Sequence, residues 1–381
     1  MLSLFTDETH EAYRRSMAEF VAKEVTPHVD EWEEQGEIPR ELYHKVGEMG
    51  FLGLKFDEAY GGGGGDYIGQ AIWIEELAKC GAGGVNAALS AHSEIALPPI
   101  AYFGSEDMKQ KYLVPGIDGQ KVACLAITEP DAGSDVASIS TYARKENGHY
   151  VVNGTKTFIT NGVNADFAVT AVKTIPDSGY QGISLLVIDK DTPGFTVSRK
   201  LSKVGWWSSD TAELSFQDCV VPAENLLGEE NQGFILIMQN FQWERLTLAI
   251  GAVAATDMIL QDTISYMKER KQFGRPISSF QALQHRVADH LAALEAARQL
   301  CYSALIKYSR GENIAKESTM AKLFVAETTQ KIIDDCLQFH GGYGYTMEYP
   351  VQRIWRDNRL NKIGGGTTEI MRQILSALYL G

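Results

Sequence analysis

Apolar residues recur every three or four positions over the first third of the chain, gather into short β-rich runs in the middle, and return to helical spacing thereafter. After Thr6-Asp7-Glu8-Thr9, the residues Tyr13, Met17, Phe20, Val21 and Val25 keep to one helical face, and Pro27 reads as its stop. Similar spacing over 40–49, 67–79, 86–103 and 106–114 predicts a helical unit over residues 1–120.

From 121 to 228, Val, Ile, Thr and Phe cluster between turn residues. Tyr150-Val151-Val152, then Asn153-Gly154, then 155–160 reads as a β-hairpin, because Asn-Gly suits the two positive-φ positions of a tight turn. The runs 183–188, 195–198 and 213–216 predict further strands. Helical spacing over 234–270, 279–310, 315–339 and 367–380 predicts a bundle over 229–381. The expected fold class is thus α+β multidomain: an N-terminal helical domain, a middle β domain and a C-terminal helical bundle. A length of 381 residues agrees, since single cores rarely grow that large. The five glycines 61–65 read as a flexible loop; no Gly-Lys-Ser/Thr follows them, as a phosphate loop would require.

Composition narrows the partners. A net charge of -14 repels phosphate backbones and anionic lipid, which argues against nucleic acid and membrane surfaces. Cys80, Cys124, Cys219, Cys301 and Cys336 form no Cys-x-x-Cys pair, as expected in a reducing compartment without thiolate clusters or disulfides. The first residues lack a secretory pattern and no apolar run is long enough to span a bilayer. The expectation is a soluble intracellular protein without membrane insertion. The histidines lack metal spacing, and neither a Gly-x-Ser-x-Gly elbow nor a Rossmann fingerprint occurs. No metal is expected.

The remaining chemistry lies in turns. Thr128-Glu129-Pro130-Asp131-Ala132-Gly133-Ser134-Asp135 follows an apolar strand and offers amides and hydroxyls to an oxygen-rich ligand, although surface turns share this composition. Strand alternation puts Lys156, Phe158 and Thr160 on one face, suited to a flat ring or equally to a core that buries Phe158. Glu269-Arg270-Lys271-Gln272-Phe273-Gly274 sets cations beside an aromatic. Gln338-Phe339-His340-Gly341-Gly342-Tyr343-Gly344 ends a helix in glycines that admit a close ligand.

In this order, with Phe158-Ile159-Thr160-Asn161-Gly162 and Gly364-Gly365-Gly366-Thr367-Thr368-Glu369-Ile370, these blocks resemble the acyl-CoA dehydrogenase family over nearly the whole chain. The resemblance implies an FAD-binding homotetramer, a dimer of dimers, acting on an acyl-CoA substrate. Leu125, Ile127, Thr128, Gly133, Ser134, Phe158, Ile159 and Thr160 would border the flavin. Arg270, Phe273, Gln281, Gln338, Gly341 and Gly342 would meet the adenine dinucleotide portion across a subunit interface, with Thr367 and Glu369 completing that site. Electrons would pass to an electron-transferring flavoprotein. A bacterial cytoplasm, or a mitochondrial matrix for a processed form, would be the location.

Most family members carry the catalytic base within Tyr-Glu-Gly-Thr, where this chain has Gly364-Gly365-Gly366-Thr367. Gly365 offers no side chain. The isovaleryl-CoA and long-chain members, which this chain resembles most, place a Glu-Arg pair on a helix across the pocket; here Glu244-Arg245 stands there. Ile237, Phe241, Glu244 and Leu248 share a helical face, so the carboxylate lies on an apolar stripe, although a solvated Glu244–Arg245 pair fits the same residues. By the resemblance, the Gly365 amide would hold the thioester oxygen, Gly366 would border the substrate, and Arg245 and Ser134 would contact CoA. An acyl-CoA oxidase, a flavin monooxygenase and a non-catalytic flavin- or CoA-binding subunit are the alternatives. The stretch 86–93 lacks the Pro-Gly break of long-chain members, which leaves acyl length open.

Overall fold

The computed structural model describes residues 6–380. Its first helix, α1 (Glu8–Phe20), opens on a capping box: Asp7 accepts from the His10 amide at 3.0 Å, and the His10 ring accepts from the Asp7 amide at 3.2 Å. Pro27 does not end the helical run. A π turn (Val21–Val25) and a 3-10 turn (Thr26–His28) carry the chain into α2 (Val29–Gln35), with Pro27 in a first turn where no amide bond is lost.

After α3 (Arg40–Glu48) and α4 (Tyr67–Ala78), the predicted helix over 86–103 is two helices, α5 (Gly83–Ser90) and α6 (Leu97–Phe103), joined by the π turn Ala91–Ala96. The stretch 86–93 has no Pro-Gly break, yet it leaves α geometry at Ala91, where the π turn begins. His92 in this turn is buried, and burial pushes its pKa down to about 4. Its Nδ1 accepts from the Ala123 amide at 3.0 Å, so the proton sits on Nε2 and is donated to the Gly116 carbonyl at 2.9 Å. This ring ties the helices to the first strand. The short α7 (Glu106–Met108) and α8 (Val114–Ile117), bridged by a π turn, precede it.

Strands β1 (Ala123–Ala126), β2 (Tyr142–Glu146), β3 (His149–Thr160), β4 (Phe167–Lys173), β5 (Ile183–Asp189), β6 (Phe195–Lys200), β7 (Thr211–Pro222) and β8 (Leu226–Leu227) form one sheet. Its order is β6-β7-β3-β2-β4-β5-β8, with β1 parallel to β4. Every residue of β4 is buried. Phe167, Val169 and Ala171 join a core with Leu97, Ile100 and Ile237, whereas Ala168 and Val172 join Leu186, Ile188 and Leu214 on the other face.

Two corrections concern β3. The hairpin turn is Asn147-Gly148, with φ of 45° and 82°, and Glu146 pairs with His149 across it. Asn153-Gly154 lies inside the strand, where the ladder to β7 slips. Both dipeptides carry turn chemistry; pairing with β7 on the far side keeps the second one extended. Glycine is required there because a Cβ at 154 would meet Thr141 Oγ1 at 2.4 Å. A second slip between Lys156 and Ile159 gives Phe158 a φ of 59°. Alternation fails at this bulge: Lys156 is fully buried while Phe158 is 68% exposed, so they do not share a face.

Buried polar pins hold these pieces. Lys156 Nζ donates to Glu129 Oε1 at 2.8 Å and to the Ile127 carbonyl at 3.0 Å, and Glu129 accepts from the Ser140 and Thr141 amides at 2.6 and 2.9 Å. Burial alone would raise the Glu129 pKa, but Lys156 and these donors override it and bring it to about 2. Asn161 accepts from the Tyr43 hydroxyl at 3.0 Å and donates to the Ala88 carbonyl at 2.8 Å, joining sheet to helices.

The chain then runs through α9 (Gly233–Glu269), the small ribbon β9 (Lys271–Gln272) and β10 (Arg275–Pro276), α10 (Gln281–Ser309), α11 (Ala315–His340), α12 (Pro350–Asn358) and α13 (Thr368–Leu380). Its core unites Ile250, Leu294, Leu305, Val325 and Ile332 with Ile74 of α4. The sequence reading missed α12, a nine-residue helix whose buried residues are polar (Gln352, Asp357, Asn358) as well as apolar (Val351, Ile354).

Asn161→Ala should lower the unfolding free energy by about 2–3 kcal/mol, since it strands the Tyr43 hydroxyl and the Ala88 carbonyl, against about 1 kcal/mol for Tyr43→Phe; equal urea midpoints for the two variants would contradict the pin. The depressed Glu129 pKa contributes stability above its unfolded value near 4.5 that is lost as pH falls toward 2. Glu129→Gln should therefore be less stable than the parent at neutral pH, and the difference should close in acid-unfolding titrations.

Candidate active site

Glu244 projects from α9 one turn before Leu248 and is only 7% exposed. Its Oε2 has no hydrogen-bond partner among the described residues. Burial raises its pKa to about 7, against the pull of Arg245 and Lys322 toward the charged form. The solvated pair with Arg245 is not what the structure contains. Arg245, 6% exposed, turns away to donate from Nε to the Gly365 carbonyl at 3.1 Å, with its guanidinium 5.3 Å from the Phe241 ring centre.

The glycine turn 364–366 lies opposite. Gly365 and Gly366 have φ of 66° and 100°, a backbone that side-chain-bearing residues resist. A Cβ on Gly365 would sit 3.6 Å from Glu244 Oε1 and 2.8 Å from Leu248 Cδ1. Position 365 and the Glu244 carboxylate therefore open onto the same space. Lys322 of α11, 2% exposed, donates from Nζ to the Gly366 carbonyl. Sequence reasoning missed it, although its spacing from Ser318, Val325 and Thr329 marks a buried helix face.

Beyond Leu248 a cleft of about 110 Å³ runs between α5, α9 and the end of β3. Ala87, Ser90, Ala91, Gly251 and Ala252 keep it open, and Thr160 and Trp206 border it. Trp206, also unforeseen, is held with φ 55° by Asp357, which accepts from the Trp206 and Gly83 amides at 2.6 and 2.8 Å. Leu125 and Thr128 are half-buried at the end of β1, Ile127 is buried, and the Thr128 carbonyl accepts from the Thr157 amide at 2.9 Å. That bond sets the 128–135 turn, with exposed Gly133 and Ser134, beside the Phe158 bulge. The Ile159 side chain packs into the sheet core, so only its backbone is open to a ligand.

A second group sits at the far end of α9. Arg270 follows Glu244 by 26 residues, a rise of roughly 39 Å along one helix. There the Arg270 guanidinium lies 5.4 Å from the Tyr343 ring centre, Phe273 is 91% exposed, Gln281 and Gln338 are exposed, and Gly341 and Gly342 face open space. Thr367 and Glu369 remain with the first group, next to Gly366 and near Lys322. The sequence-predicted residues thus form two clusters within one chain.

These donors fit FAD. An exposed aromatic at 158 with hydroxyls at Thr128, Ser134 and Thr160 suits a heteroatom-rimmed ring, and open glycines beside Arg270 suit a phosphate-linked portion. Among the described residues no His, Cys, Asp or Glu cluster has a metal-binding arrangement, and no helix is long and apolar enough to cross a membrane.

Family models for the N-terminal, middle and C-terminal domains of acyl-CoA dehydrogenases match residues 7–120, 124–219 and 231–380. An acyl-CoA dehydrogenase of Bacillus subtilis is 41% identical over 97% of each chain. A mitochondrial long-chain specific acyl-CoA dehydrogenase of Sus scrofa is 38% identical over 98% of this chain and 86% of its own. A crystal structure of an acyl-CoA dehydrogenase from Geobacillus kaustophilus superposes with a TM-score of 0.95 at 42% identity, covering 98% of both chains. With its three-part architecture, the chain belongs to the acyl-CoA dehydrogenase family, FAD-dependent oxidoreductases acting on the CH–CH groups of acyl-CoA.

Proposed function

We propose that this chain oxidises the α,β bond of an acyl-CoA thioester to the trans-2-enoyl product, with Glu244 as the base that takes the α-proton. The observation that carries the reading is the buried Glu244 carboxylate, whose Oε1 faces the space that a side chain at position 365 would enter and whose Oε2 has no hydrogen-bond partner among the described residues. A carboxylate held this way is expensive to ionise and correspondingly avid for a proton, which suits the weakly acidic α-position of a thioester. A scaffold or a monooxygenase has no use for it.

FAD, when bound, supplies the hydride acceptor for the β-carbon. The chain's own residues do the rest. The Gly365 amide, in a turn whose carbonyl is anchored by Arg245, is the donor for the thioester oxygen. Gly366 leaves room for the substrate, and Arg245 and Ser134 face the CoA portion. Leu125, Ile127, Thr128, Gly133, Ser134, Phe158, Ile159 and Thr160 border the ring, and Thr367 and Glu369 complete the site of the adenine dinucleotide portion.

The separation of the two clusters along α9 supports a cofactor shared between subunits. Arg270, Phe273, Gln281, Gln338, Gly341 and Gly342 of one copy complete the site of another, as in a dimer of dimers. Domains over 1–120, 121–228 and 229–381, a cytoplasmic location and electron transfer to an electron-transferring flavoprotein belong to the same proposal.

Anaerobic mixing with straight and branched acyl-CoA thioesters should bleach the flavin and yield enoyl-CoA; rapid peroxide formation in air would instead identify an oxidase, and no bleaching with any thioester would defeat the reading. Glu244→Gln should keep FAD and CoA binding while flavin reduction slows by roughly 10²–10⁴-fold; near-normal reduction would remove Glu244 as the base. Because only the ionised carboxylate takes a proton, the reduction rate should rise with pH, be half-maximal near the Glu244 value of about 7, and level off above it. A flat profile between pH 6 and 8 would contradict this.

A further inference from the structure

The glycine turn opposite Glu244 is gripped by two buried cations. Arg245 donates to the Gly365 carbonyl, and Lys322 donates to the next one, that of Gly366. An ammonium 2% exposed is expensive to keep charged, and this one meets a carbonyl where a carboxylate would compensate it better. The apolar burial of α11 comes from its neighbours on the helix, Ala321, Val325 and Ile332.

We infer that Lys322 is a positioning residue for the dehydrogenation: it anchors the 364–366 turn through Gly366 and sets a positive charge beside the Glu244 carboxylate. The inference rests on the reading of Glu244 as the base. Two charges act on that carboxylate. Arg245 lies on its own helix and Lys322 on α11; Glu369 of α13 acts on Lys322. On the π turn, Glu94 is already occupied by Lys55 at 2.8 Å and by the indole of Trp243 at 2.8 Å. Lys322 and Arg245 are therefore the charges that oppose the desolvation of Glu244. Burial brings Lys322 itself down to about 8, which leaves it protonated at neutral pH. One side chain thereby links the shape of the oxygen-binding turn to the ionisation of the base.

Three variants separate these roles. Lys322→Gln keeps a donor for Gly366 without the charge, Lys322→Arg keeps both, and Lys322→Met keeps neither. In the flavin-loaded protein two readouts apply: the pH profile of anaerobic flavin reduction, and an infrared pH titration of the carboxyl band that disappears in Glu244→Gln. Removing a nearby cation should move both midpoints to higher pH by about 1 unit in Lys322→Gln and Lys322→Met, with Lys322→Arg staying at the parent value. Lys322→Met should in addition lower the high-pH plateau by about tenfold through a loosened turn. Should the Gln variant titrate like the parent, or the Arg variant shift as far as the Gln variant, the assignment falls. If Glu244→Gln still reduces flavin, the base reading fails by itself, while the infrared midpoint continues to decide whether Lys322 acts on Glu244.

Discussion

The organising constraint in this molecule is a largely buried carboxylate with one oxygen left without a partner among the described residues. Glu244 is 7% exposed on a 37-residue helix, and its Oε2 makes no hydrogen bond among the described residues. Folding does not favour such an arrangement on its own account, because desolvation opposes the charged form. It persists because the helix is committed at many other points: Leu246, Ile250, Val253 and Leu260 bury the same segment in the bundle core. The desolvated group is carried by a helix buried at many other positions.

Around that carboxylate, polar atoms set position and apolar atoms set stability. The Glu129–Lys156 pair fixes the turn that follows β1, the Thr128–Thr157 bond sets that turn beside the Phe158 bulge, and Asn161 locks the end of β3 to the helices. Each satisfies its neighbours, so the surface they frame stays rigid while Phe158 and Ser134 remain open to solvent. On the other side of Glu244, the glycine turn has no side chains to hold it and depends on Arg245 and Lys322. A carboxylate reaching from α9 and a side chain reaching from 365 are geometrically interchangeable, because both enter one space. A glycine at 365 leaves that space to Glu244.

Much of this was legible in advance. Helical spacing over 234–270 matches α9 to within a residue at each end, since a long periodic stripe leaves few alternatives. Local chemistry was less decisive. Asn153-Gly154 has the composition of a hairpin and lies in a strand, while Asn147-Gly148 makes the turn. Pro27 reads as a stop and sits inside a continuing helical run. Trp206 and Lys322 escaped notice because their importance comes from Asp357 and Gly366, 151 and 44 residues away.

By itself the sequence determined the order of the three units, the family blocks and the position of the one acid on the apolar stripe of its helix, because periodicity and motif spacing are properties of neighbouring residues. Only the tertiary structure decided that Glu244 and Gly365 face each other, that Arg245 turns away from its neighbour to a carbonyl, and that the predicted cofactor residues divide between the two ends of α9. Those are relations between segments more than a hundred residues apart or along the whole length of a helix. They are fixed by how the elements pack, which no local pattern encodes.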